Sequence, residues 1–172
     1  MSDLELGYRL ENETVKMGLN LYAMHYRDQL VVTGKINDVG EYFRQNVDNS
    51  YRTGIEADMS ITLSSKFLIN FNAALSRNKI KNFVEFTDDY DNGGQRTDVY
   101  ARPDISFSPS AVAGSEFVYK PAPGLALALQ SRYVSKQYLD NTQNEMRKLD
   151  AYFVNNLRVG YDFSILGIRN IN

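Results

Sequence analysis

The chain has no cysteine and no tryptophan, one histidine and four prolines among its 172 residues. Without cysteine there is neither a disulfide framework nor a thiolate metal site. That absence does not assign a compartment, because periplasm, outer membrane and cytosol all permit it. Neither sign of charge is in excess. Charged residues are 23% and the net charge is −2. Nucleic-acid binding wants a clustered basic patch, and the basic residues here are scattered. Long apolar runs are missing too. The most apolar stretch, "GLALALQ", falls far short of the ~18 residues of a membrane helix. The start "MSDLELGYRL" has no basic segment followed by an apolar one, so a signal peptide is not expected in it. The length suits one domain, 1–172. These absences suit a soluble protein. They suit a transmembrane β-barrel equally, because only alternate residues of its strands face lipid.

Alternation is what the chain has instead. In "YRTGIEADMSITL", Tyr51, Thr53, Ile55, Ala57, Met59, Ile61 and Leu63 alternate with Arg52, Gly54, Glu56, Asp58, Ser60 and Thr62. Period two is a strand, and this one is long against the usual five or six residues. Strand-like segments also run over Asp3–Glu11, Thr14 to about Thr33, Lys66 to about Lys81, about Asp104 to Lys120, Leu125 to about Gln137, and Lys148 to about Phe163. The connections alternate in length. Asn12-Glu13, Ser64-Ser65 and the proline-glycine turn Pro121–Gly124 are short. Residues from about 34 to 45, 84 to 102 and 139 to 147 form long loops rich in Asp, Asn and Gly. A soluble sandwich has no reason to sort loops by end. A transmembrane barrel has short periplasmic turns and long extracellular loops. Phe67, Tyr119, Tyr161 and Phe163 near one border, and Tyr51 and Tyr133 near the other, suit interfacial belts.

The fold expected is an all-β, antiparallel up-and-down meander of about seven long strands, part of a large transmembrane barrel. Seven is odd, and open edges are not tolerated in lipid. The tail "FSILGIRNIN" reads as a strand, a turn and the start of another strand, so a fragment of a longer protein is expected. The alternative from the residues alone is a soluble antiparallel sheet or small barrel that binds a ligand with its apolar face buried.

At this point the residues resemble a family. "LYAMHYRDQLVVTGKINDVGEYFRQNVDNSYRTGIEADMSITL" and "YVSKQYLDNTQNEMRKLDAYFVNNLRVGYDF" resemble the barrel of TonB-dependent outer-membrane receptors. The matching positions are Tyr51, Arg52, Gly54, Ile55 and Glu56, then Gln137 to Thr142 and Leu149 to Phe163. The resemblance implies a Gram-negative outer-membrane barrel of about 22 strands that imports a bulky nutrient, a ferric siderophore, cobalamin or glycan. It implies outer-membrane lipid, a plug domain and TonB as partners, the last two through parts not recognisable in this chain.

No enzyme, cofactor or metal site is expected. His25 lies in a strand beside Tyr26 with no nucleophile signature near it. Asp88, Asp89 and Asp91 before Gly93 have the spacing of a calcium loop, but the later bidentate glutamate is missing. Glu56 and Asp58 could do acid–base chemistry, yet charges on a lumen face ordinarily meet water. The expected lumen-facing residues are Arg52, Glu56, Asp58, Asn70, Asn72 and Arg158. The expected extracellular ligand contacts are Tyr42, Phe43, Arg44, Tyr90, Arg96 and Tyr138. An isolated chain of this kind is expected to wrap on itself or to pair non-natively with a second copy.

Overall fold

In the computed structural model, residues 1–36, 39, 41–89, 91, 94–165 and 168–171 are described. The strands in chain order are β1 (Ser2–Glu11), β2 (Val15–Ile36), β3 (Tyr42–Ser64), β4 (Phe67–Lys81), β5 (Phe83–Asp89), β6 (Gly94–Tyr100), β7 (Ala111–Ala122), β8 (Leu125–Val134), β9 (Gln137–Tyr138), β10 (Lys148–Leu149), β11 (Tyr152–Tyr161), β12 (Phe163–Ile165) and β13 (Ile168–Ile171). Seven of them form one antiparallel sheet in the order β1-β2-β3-β4-β7-β8-β11. The chain therefore meanders, each sheet strand pairing with its predecessor. β1 and β11 remain the two edges, so the barrel is not closed. Three small hairpins, β5–β6, β9–β10 and β12–β13, stand apart from the sheet.

The register carries the alternation across all seven strands. One row runs Tyr8, Leu19, Ala57, Ala73, Ala113, Tyr133 and Phe153. The adjacent row on the opposite face runs Arg9, Gly18, Asp58, Asn72, Gly114, Arg132 and Val154. A slip of one residue in any pair would send its apolar set to the polar side. The apolar face stays open. Leu4 and Leu157 are each 73% exposed, and Leu75 and Phe117 are also exposed. A soluble sheet would have covered them.

The short turns are locally built. Asn12 Oδ1 accepts from the backbone N–H of Thr14 (2.9 Å) and Val15 (2.7 Å), an Asx arrangement that reverses the chain. Gly124 has φ +78, a conformation that favours glycine, and its carbonyl accepts from Asp162 N–H at 2.8 Å. At this same end Phe67 and Tyr119 stack with ring centroids 4.6 Å apart.

Four boundaries differ from expectation. β2 and β3 extend further, to Ile36 and from Tyr42, so much of the expected 34–45 loop is hairpin. β7 starts at Ala111, and residues 104–110 form a strap instead of a strand. Phe107 takes φ +53 and Pro109 has no N–H, so neither suits a continuous ladder. The 84–102 loop contains the β5–β6 hairpin. Residues 135–151 leave the sheet, with Gln137 and Tyr138 pairing Leu149 and Lys148 in a ladder of their own.

The main buried cluster lies at the long-loop end, on the far ends of β2, β3 and β4, on β5 and on the 104–110 strap. Val31, Val47, Ile80, Phe83 and Ile105 cluster at the long-loop end, with Tyr100 packed against them. Phe83 and Tyr100 rings sit 6.3 Å apart. Burial pushes the Tyr100 phenol above its usual range, and the neighbouring Glu85 carboxylate adds to this.

Candidate functional site

The polar face is the surface on which the charged and amide side chains converge. Its strands supply large polar groups beside glycines. Tyr22 leans over Gly54, where an added Cβ would lie 2.6 Å from Tyr22 Oη and 2.5 Å from the Leu75 carbonyl. Asp58 covers Gly18 and Asn72 covers Gly114 in the same way. The glycines thus seat their neighbours' side chains flat on the sheet.

Lower on this face, Glu116 is the hub of a network. It accepts from Asn70 Nδ2 (3.1 Å) and Gln130 Nε2 (2.8 Å), and Arg158 Nη2 lies 3.5 Å from it. A cavity of about 820 Å³ opens above these groups, lined by Asp58, Asn72 and Arg132 among others. Higher up, Arg52 Nη1 donates to Asn78 Oδ1 (3.0 Å) and Ser108 Oγ (3.2 Å). That ties the 104–110 strap to the sheet. Arg52, Glu5, Glu56, Tyr22 and Phe107 line a second cavity of about 460 Å³.

All six polar positions expected from alternation lie on this face, as the register requires. The structure divides them among three settings. Arg52 and Glu56 share the upper cavity, Asp58, Asn70 and Asn72 share the lower one, and Arg158 reaches Glu116. Glu56 and Asp58 line different cavities.

The outer candidates are scattered. Phe43 is 53% exposed, and its carbonyl accepts from Thr33 Oγ1 at 3.1 Å. Arg44 is exposed opposite Val32. Tyr42 pairs with Ile36 through its backbone, while its side chain and the whole of Tyr90 lie outside the described residues. Arg96 is on the separate β5–β6 hairpin and pairs with Asp98 at 2.8 Å. Asp88 and Asp89 form ladder pairs with Gln95 and Gly94, so their backbone is extended and not curled about an ion. Tyr138 Oη donates to Glu145 Oε1 at 2.6 Å, beneath Lys136. Lys148, Tyr138 and Lys136 together hold the Glu145 carboxyl down to about 2.

Residues that the alternation passed over fasten the loops. Asn141 is fully buried. Its Oδ1 accepts from Ser106 N–H (2.7 Å), and its Nδ2 donates to the Val32 carbonyl (2.8 Å). Asp140 is also fully buried; its Oδ1 accepts from the Thr142 N–H and hydroxyl, and its Oδ2 faces Arg147 at 2.9 Å. Phe107 N–H donates to the Tyr138 carbonyl at 2.9 Å. The run "LDNT" is therefore the clasp between the 104–110 strap, the 135–151 segment and β2.

Three comparisons bear on identity. The family model described as TonB dependent receptor-like, beta-barrel, matches residues 2–171. No curated protein matches the chain. Solved structures share the fold at low identity. The siderophore receptor PiuA from Acinetobacter baumannii is 14% identical, with a TM-score of 0.66 over 94% of this chain and 22% of that one. The ferric yersiniabactin uptake receptor FyuA from Yersinia pestis is 18% identical, with a TM-score of 0.65 over 92% of this chain and 22% of that one. The copper transporter OprC is 16% identical, with a TM-score of 0.61 over 92% and 22%. The chain thus spans under a quarter of each of these three structures. With a sheet of open-faced, alternating strands and a family match over nearly its whole length, this chain belongs to the TonB-dependent receptor-like β-barrel family.

Proposed function

We propose that this chain is a stretch of the wall of a Gram-negative outer-membrane transporter that imports a bulky, scarce nutrient. The apolar face meets lipid and the polar face lines the lumen. The long-loop end is extracellular. The observation that carries the reading is the register, which holds one face mostly apolar across seven strands, Ser115, Ser131 and Asn155 interrupting it on β7, β8 and β11, while leaving it uncovered. A ferric siderophore is favoured over cobalamin or a glycan, because similar structures include a siderophore receptor and a ferric yersiniabactin uptake receptor. Arg52, Glu56, Asp58, Asn70, Asn72 and Arg158 are then wall residues of the lumen. Phe43, Arg44, Arg96 and Tyr138, with Tyr42 and Tyr90, first meet the nutrient outside. The plug and the TonB contact belong to the rest of the receptor. This segment contributes binding and passage, and no bond-making chemistry.

Nitroxide labels at Ile55 and Glu56 test it, in the full-length receptor in bilayers. The label at 55 is expected to relax with oxygen, which concentrates in lipid, and the label at 56 with a water-soluble nickel chelate. Equal water access at both positions would end the assignment of faces.

A further inference from the structure

The outward face of β7, β8 and β11 is apolar row after row, except at one depth. From the short-turn end upward its rows are Ala122, Leu125 and Tyr161, then Tyr119, Leu127 and Val159, then Phe117, Leu129 and Leu157. The next row is Ser115, Ser131 and Asn155. The row beyond it returns to Ala113, Tyr133 and Phe153. Followed across β4, β3, β2 and β1, the polar row continues as Phe71, Met59, Met17 and Leu10. The polar groups are therefore confined to three neighbouring strands.

Rows lie about 7 Å apart along a strand, and a tilt of about 40° turns this into about 5 Å of depth. The polar row then lies about 10–15 Å above the rows of Tyr119 and Tyr161, near the middle of an apolar band about 25 Å tall. Its hydrogen bonding is incomplete. Ser131 Oγ donates to Asn155 Oδ1 at 2.6 Å. Asn155 is exposed, and its Nδ2 and the Ser115 hydroxyl have no partner among the described residues. Hydrocarbon offers an amide no hydrogen bond, so leaving one there is unfavourable.

We propose that Ser115, Ser131 and Asn155 form the contact through which two copies of the receptor associate inside the bilayer. All copies insert in one direction, so a symmetric pair is related by a two-fold axis along the membrane normal. That rotation preserves depth, and each polar residue meets its own copy. Amide and hydroxyl groups both donate and accept, so each is complementary to itself. A partner of another sequence would need matching polar groups at this one depth, whereas a second copy supplies them by symmetry. Strands lie about 5 Å apart, so the row is about 10 Å wide, as suits the narrow contact of two convex walls. Tyr133, Phe153, Leu129 and Leu157 are exposed directly above and below it and supply the apolar surround. This inference rests on the assignment of the outward face to lipid, which the label at position 55 reports independently.

The test uses the full-length receptor, carrying donor or acceptor dye at the long-loop end and reconstituted as a mixture in phosphatidylcholine vesicles. Energy transfer is read against the protein-to-lipid ratio. The double variant Asn155→Leu, Ser131→Ala is expected to need at least about fivefold higher density than wild type for half-maximal transfer, given the usual worth of hydrogen bonds within a membrane. Met59→Leu, in the same row but away from the polar groups, should behave as wild type. On oxidation, Asn155→Cys should cross-link two copies and Met59→Cys should not. If Asn155→Leu does not insert, Ser131→Leu, which crowds the row from β8, serves instead. Equal density dependence of wild type and variant, or equal cross-linking at both positions, would overturn the proposal. So would a receptor that stays monomeric at every density while Asn155→Leu lowers its denaturant midpoint, because the amide would then pair within its own barrel. If position 55 is in lipid and association is nevertheless unchanged by the variants, the contact fails while the barrel reading stands.

Discussion

Gly54 has no room for a side chain, because the Leu75 carbonyl and the Tyr22 ring occupy the space a Cβ would need. Backbone cannot yield as a flexible side chain can. Gly54→Ala is expected to destabilise the receptor by about 1–3 kcal/mol, measured as the denaturant midpoint of folded barrel in detergent. Asn141 poses the opposite problem. Its amide satisfies the buried Ser106 N–H and helps satisfy the Val32 carbonyl, so Asn141→Ala strands them, at about 1–3 kcal/mol. Amide exchange should quicken across 104–110 and 137–142 while the sheet stays protected. Glu145 gives a pH signature. Its folded-state value of about 2 lies below its ordinary 4.5, so its ion pairs hold the loop fully above about 4.5. They are lost as pH falls through the window from 4.5 to about 2. Protection of residues 136–148 from exchange should drop in that window, and Glu145→Gln should abolish the pH dependence.

The strand β3 concentrates the two-faced character of the sheet. Its neighbouring positions Ile55 and Glu56 pair with Leu75 and Ala74 and differ only in which face they occupy. On the proposed assignment of faces, Ile55→Lys places a charge on the lipid side, at about 2–4 kcal/mol near the bilayer midplane. Glu56→Lys leaves its charge in a wet cavity and should change stability little. Heat-modifiable gel mobility after refolding into vesicles compares the two. A matching loss from both would show that β3 is not a wall strand. The alternation that makes β3 legible is strong because each residue type has only one face on which it is tolerated. The strap 104–110 carries no such signal in its sequence. Its structure depends on Arg52, Asn78, Asn141 and Tyr138, which approach from distant parts of the chain.

At the scale of the molecule, stability is split between two environments. The sheet has an uncovered apolar face and two unpaired edges, both liabilities in water. The buried cluster of Val31, Val47, Ile80, Phe83 and Ile105 joins the long-loop ends of β2, β3 and β4 to β5 and the 104–110 strap. The 172-residue chain expressed alone is expected to aggregate without detergent, seen by light scattering. A cooperative, detergent-free monomer would contradict the open face.

The sequence by itself determined the strands, their two faces and the end at which the long loops gather. Period two, turn chemistry and loop length are local properties, and each survives whatever the chain packs against. The resemblance carried the family, and the matched residues 2–171 agree with it. Only the tertiary structure decided what fills the long-loop end. The β5–β6 hairpin, the strap under Arg52 and the Asp140–Asn141 clasp join residues up to 109 positions apart. Contacts at such separation leave no periodic trace, because their geometry depends on the meander bringing β2, β4 and the loops to one end.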